Sequence, residues 1–122
     1  MNGKKVILLV EDEHIQGSLA MASLQDKGFV VYWAQTIKEA EFIFKNKNGL
    51  FDAILLDGCM DSETPNTQPL IAFFKEKRYE GHIVAISMKE KFSLDLVDAG
   101  ATCIAQKNEA LAGFTLGLFG DK

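Results

Sequence analysis

The sequence predicts an α/β domain, with a five-stranded parallel sheet covered by helices on both faces. Three observations carry that expectation. Short apolar runs bounded by charges recur along the chain, as strands buried on both faces require. Stretches with apolar residues near helical spacing separate those runs. Five strand–helix pairs follow one another, which demands parallel pairing through right-handed crossovers.

Each element has its own signal. Lys5 to Val10 (KVILLV) reads as the first strand. Glu13 to Lys27 brings Ile15, Leu19, Ala22 and Leu24 close to helical spacing, and Gly28 closes that helix. Phe29 to Ala34 (FVVYWA) is β-branched and aromatic and gives the second strand. Thr36 with Glu39 forms a capping box for a helix running to about Lys47, and Asn48-Gly49 is a turn. Ala53 to Leu56 is the third strand. Asp57 to Pro69 is a polar loop with two prolines. Leu70 to Lys77 is a short helix with Leu70, Ile71, Phe73 and Phe74 toward the core, and Arg78 to Gly81 is a turn. His82 to Ile86 is the fourth strand, Phe92 to Ala99 a helix closed by Gly100, Ala101 to Ala105 the fifth strand, and Glu109 to Phe119 the last helix.

Length and composition bound the possibilities. A chain of 122 residues, 48% of them hydrophobic, suits one domain that can bury a core by itself. No apolar run approaches membrane-spanning length. The apolar stretch near the N-terminus stops at acids rather than at a small-residue cleavage site, so a signal peptide is not expected. Cys59 and Cys103 are too few and too widely spaced for a zinc motif or a disulfide framework. Together these features place the chain in the cytoplasm. A net charge of −4, with Lys75, Lys77 and Arg78 the only basic cluster, argues against nucleic acid as a partner. His14, His82 and the phenylalanines Phe42, Phe44, Phe73 and Phe74 read as packing residues rather than ligands.

Ligands of such sheets bind beyond the carboxyl ends of the strands. There the chain sets Glu11, Asp12 and Glu13 after strand one, Asp57 after strand three, Ser87 after strand four and Lys107 after strand five. Taken singly these are ordinary: an acidic helix start favoured by the dipole, a turn residue, a surface hydroxyl and a surface lysine. Taken together, if strands one and three are neighbours, Glu11, Asp12 and Asp57 crowd one end of the sheet. Like charges this close repel, so one carboxylate stays protonated unless a cation neutralises them, and a hard divalent cation such as magnesium suits such a pocket. Ser87 and Lys107 would complete a site for a phosphoryl group, and Asp57, on a rigid support beside Gly58, would be its nucleophile.

The whole chain resembles the receiver domain of two-component response regulators. The pieces are "LLVEDE" for the strand-one acidic pair, "AILLDGCM" for the phosphoacceptor strand, "VAIS" for the switch hydroxyl and "AGATCIAQK" for the run into the lysine. The resemblance implies a flavodoxin-like, doubly wound sheet of order 2-1-3-4-5 and a single receiver domain over 1–122. With no output domain within those residues, the chain is expected either to act alone or to be one domain of a longer protein. It implies Asp57 as phosphoacceptor, magnesium held by Asp12, Asp57 and the Cys59 carbonyl, Glu11 acting mainly through water, and Ser87 and Lys107 on the phosphoryl group. The donor would be a histidine kinase or phosphotransfer protein. Output would pass to a protein partner through the helix 4–strand 5–helix 5 face, with no enzymatic turnover of its own, and the chain would be a monomer or weak dimer.

Several positions depart from the family pattern. Asp61 stands where a proline is usual, and the following loop is longer, with Pro65 and Pro69. Asn108 replaces the proline after the lysine. A cis bond there would cost about 2.5–4 kcal/mol, so a trans or strained Lys107–Asn108 bond with a slightly displaced Lys107 is expected. Met88 stands where a small residue is usual, Ile104 replaces the switch aromatic, and the last helix carries Gly113 and Gly117. These departures suit an alternative reading, a receiver-like interaction module that does not depend on phosphorylation. A dehalogenase-type phosphohydrolase would need a second aspartate where Cys59 stands, and a flavin-binding domain would need a phosphate loop after strand one.

Overall fold

The computed structural model describes residues 4–60, 66–87, 90–106 and 111–119. The strands are β1 (Val6–Val10), β2 (Val30–Ala34), β3 (Ala53–Asp57), β4 (His82–Ser87) and β5 (Cys103–Gln106). The helices are α1 (His14–Asp26), α2 (Ile37–Asn46), α3 (Gln68–Glu76), α4 (Glu90–Ala99) and α5 (Leu111–Gly117). The strands form one sheet in the order β2-β1-β3-β4-β5, and every pairing is parallel.

The alternation of side chains along each strand divides the core in two. Leu8, Val10, Ile54 and Leu56 face the side covered by α2, α3 and α4, where they meet Phe44, Leu70, Phe74 and Leu96. Ile7, Leu9, Leu55 and Val84 face the other side, covered by α1 and α5, where they meet Leu24, Leu111 and Ala112. Both faces are buried, which is why the central strands read as unbroken apolar runs.

The helix signals hold with three adjustments. Thr36 accepts a bond from the Glu39 N–H at 3.0 Å, while the Glu39 carboxylate reaches back to the Gln35 N–H at 2.6 Å, one residue before the cap. Gly28 follows α1 at a φ of 97°, the left-handed conformation that ends helices. The buried face of α1 differs from the expected one. Ile15 and Leu19 are exposed, at 65% and 62%. The inward stripe is Gly17, Ala20, Met21 and Leu24, with helical spacing i, i+3, i+4, i+7. Gly17 is drawn inward because the Trp33 indole lies flush against it: a β-carbon there would overlap the ring. Similarly, Phe44 and Phe74 are buried and Phe73 packs beside them, but Phe42 is 66% exposed.

Candidate functional site

The β1–β3 register pairs Val10 with Leu56, so Glu11 and Asp57 leave the sheet side by side. Asp57 is the last residue of β3, not the first of the loop, and pairs with Ile86 of β4. The ladder therefore fixes its backbone on a central strand. Glu11 extends the β1–β2 pairing by one bond, its N–H donating to the Ala34 carbonyl at 3.0 Å. Carboxylate oxygens of Glu11, Asp12 and Asp57 lie within 4.8 Å of one another. Glu11 and Asp57 are buried, at 1% and 5% exposure, and Asp12 is half-buried.

Backbone amides orient two of these groups. The Glu13 N–H donates to Glu11 Oε2 at 3.0 Å, and the Cys59 N–H donates to Asp57 Oδ1 at 3.2 Å. Glu13 itself caps α1, accepting from the Gln16 N–H at 2.8 Å. For the third acid the ordinary reading, a helix start, is the correct one. Three hard oxygen donors this close together suit magnesium, and the two buried carboxylates have a charge that such an ion offsets.

The remaining expected residues divide between the described and undescribed parts of the chain. β4 runs one residue further than expected, through Ser87, which follows the partner of Asp57 on the neighbouring strand. Ile104 lies half-buried against the α4-side core where an aromatic is usual. Lys107 and the Lys107–Asn108 bond, with Met88 and Asp61, lie outside the described residues.

Three residues that hold the site were not picked out from the sequence. Trp33 Nε1 donates to the Glu11 carbonyl at 2.8 Å, tying the end of β2 to the acidic turn. Asn66 and Thr67, expected only as polar loop, bind the chain just after β3. Thr67 occupies the N-cap position of α3, yet its hydroxyl makes no cap bond. It donates instead to the carbonyl of Asp57 at 2.9 Å and lies 3.2 Å from that of Gly58. An Asn-Thr pair ahead of an apolar helix signals a cap in sequence; that it clasps a strand end ten residues earlier does not follow from local pattern.

No protein-family model and no curated protein sequence matches the chain. Solved structures do. Chemotaxis protein CheY4 of Vibrio cholerae superposes with a TM-score of 0.79 at 22% identity, covering 95% of this chain and 98% of its own. Response regulator TrrA of Thermotoga maritima, solved in complex with Mg2+-BeF, gives 0.78 at 22% identity over 94% and 96% of the two chains. The non-phosphorylated HemR receiver domain of Leptospira biflexa gives 0.76 at 26% identity over 95% and 92%. The chain thus has the CheY-like fold of response regulator receiver domains over nearly its whole length.

Proposed function

We propose that the chain is a phosphoacceptor signalling domain in which Asp57 takes a phosphoryl group from a phosphohistidine. The observation that carries this reading is the placement of a buried Asp57 carboxylate at the carboxyl end of the central strand, beside Glu11 and Asp12, in a receiver fold. An Asp57 carboxylate oxygen attacks phosphorus. A P–O bond forms, the P–N bond of the phosphoimidazole breaks, and its electron pair stays on the imidazole nitrogen, which then takes a proton. The Cys59 N–H, on Asp57 Oδ1, restrains the orientation of the nucleophile.

Glu11, Asp12, Asp57 and the Cys59 carbonyl would hold magnesium, which would offset the charge of the carboxylates and of the phosphoryl oxygens. The Ser87 hydroxyl and the Lys107 ammonium would contact the same oxygens. The donor is a histidine kinase or phosphotransfer protein. Output runs through a protein bound at the α4–β5–α5 face, where α4 exposes Leu94 and Val97 and α5 exposes Phe114 and Leu116. No turnover of an external substrate is part of this role.

Intact-mass analysis after incubation with acetyl phosphate and magnesium tests the proposal. The expected result is one added phosphoryl group in the wild type, none in Asp57→Asn, and none with chelator. A folded, magnesium-binding wild type that gains no mass would overturn it in favour of an interaction module independent of phosphorylation.

A further inference from the structure

We infer that Asn66 and Thr67 form a positioning clamp that sets the Asp57 carboxylate and the Cys59 backbone for metal and phosphoryl binding. The inference rests on the receiver reading and extends it to residues that do not touch the reacting atoms. Thr67 is fully buried, and its hydroxyl binds the Asp57 carbonyl at 2.9 Å with the Gly58 carbonyl 3.2 Å away. The Asn66 backbone N–H donates to the Gly58 carbonyl at 2.9 Å. The Asn66 side chain takes both backbone groups of Met60: its Oδ1 accepts from the N–H at 2.7 Å and its Nδ2 donates to the carbonyl at 2.8 Å.

Backbone groups on each side of Cys59 are therefore held by two consecutive residues. Cys59 lies between these anchors, and its N–H reaches Asp57 Oδ1. A turn pinned on both flanks fixes where that N–H points and where the Cys59 carbonyl sits. A hydroxyl spent on two strand-end carbonyls rather than on its own helix start is a choice that serves the site. Its effect is preorganisation: the carboxylate meets its ligand with the Gly58–Met60 backbone already in place.

Thr67→Val and Thr67→Ser separate the hydroxyl from the volume. Magnesium affinity is read from the fluorescence of Trp33, and the Asp57–Cys59 contact from the Cys59 amide resonance. The phosphorylation rate with acetyl phosphate at saturating magnesium and thermal stability complete the set. The expected result for Thr67→Val is at least fivefold weaker magnesium binding, a shifted Cys59 amide and at least tenfold slower phosphorylation at saturating metal. Thr67→Ser should restore all three to within about twofold, at whatever stability it has. Asn66→Ala should resemble Thr67→Val. Should Thr67→Val lose stability while keeping wild-type affinity, amide position and rate, the residue is structural only and the inference fails. If the wild type binds magnesium but takes no phosphoryl group, the receiver reading fails. The magnesium and Cys59 amide measurements then decide the clamp by themselves.

Discussion

The indole Nε1 of Trp33 donates to the backbone carbonyl of Glu11 at 2.8 Å, so the chain's one tryptophan is bonded to the residue whose carboxylate helps form the acidic cluster. Cation binding at Glu11, Asp12 and Asp57 is expected to change the environment of that indole. Titration with magnesium should alter the intrinsic fluorescence saturably, and Asp57→Asn should abolish the change. Trp33→Phe, which loses the hydrogen bond but keeps an aromatic ring, should cost about 1 kcal/mol in chemical denaturation and weaken magnesium binding severalfold by isothermal titration calorimetry, which needs no tryptophan.

The same indole sets the sign of an unusual substitution. Replacing a helical glycine by alanine normally gains about 1 kcal/mol. At Gly17 the new β-carbon would overlap the Trp33 ring, and overpacking of that kind costs about 1–3 kcal/mol. Gly17→Ala is therefore expected to destabilise the wild type and to stabilise a Trp33→Ala variant. Urea denaturation of the four proteins of that cycle checks the reversal; the same sign in both backgrounds would refute the contact.

Three carboxylates crowded at one strand end repel each other when no cation is bound. Asp57→Asn should raise the melting temperature in chelator. Added magnesium should stabilise the wild type by about 2.7 kcal/mol at a concentration a hundred times Kd, and the variant far less. Calorimetry with and without metal gives both numbers.

At the opposite end of the sheet, Tyr79 is buried and its hydroxyl donates to the Phe51 carbonyl at 3.1 Å. Burial pushes the phenol well above its ordinary value near 10, and the neighbouring Asp52 carboxylate adds to the push. The folded state thus favours the neutral phenol. Its contribution is complete below about pH 10 and is lost as pH rises toward the raised value, at no more than about 1.4 kcal/mol per pH unit. Tyr79→Phe should remove that alkaline slope while lowering stability at neutral pH by about 1–3 kcal/mol, because the Phe51 carbonyl loses its partner. Denaturation followed from pH 8 to 11 distinguishes the two effects.

Element type was legible because each signal is local. β3 is apolar from Ala53 to Leu56 since both its faces are covered there. The Thr36 cap, likewise, is a contact between near neighbours. The buried stripe of α1 differs from the expected one because apolarity alone favours Ile15 and Leu19, whereas the inward position of Gly17 depends on an indole from another element. Boundaries moved by a residue or two for a related reason: Asp57 and Ser87 count as strand because neighbouring strands pair with them.

The sequence by itself determined the alternation of strands and helices, the two buried faces of the sheet, and which acids stand at the carboxyl ends of β1 and β3. These follow from hydrophobic periodicity and chain order, which act over a few residues. The tertiary structure decided that carboxylate oxygens of Glu11, Asp12 and Asp57 stand within 4.8 Å of one another, on neighbouring strands in the order that the family resemblance implies. It also decided that Trp33 holds the Glu11 carbonyl and that Thr67 binds the chain at Asp57. Each of those contacts joins residues from different elements, and their partners are chosen by strand order and packing rather than by any pattern within one segment.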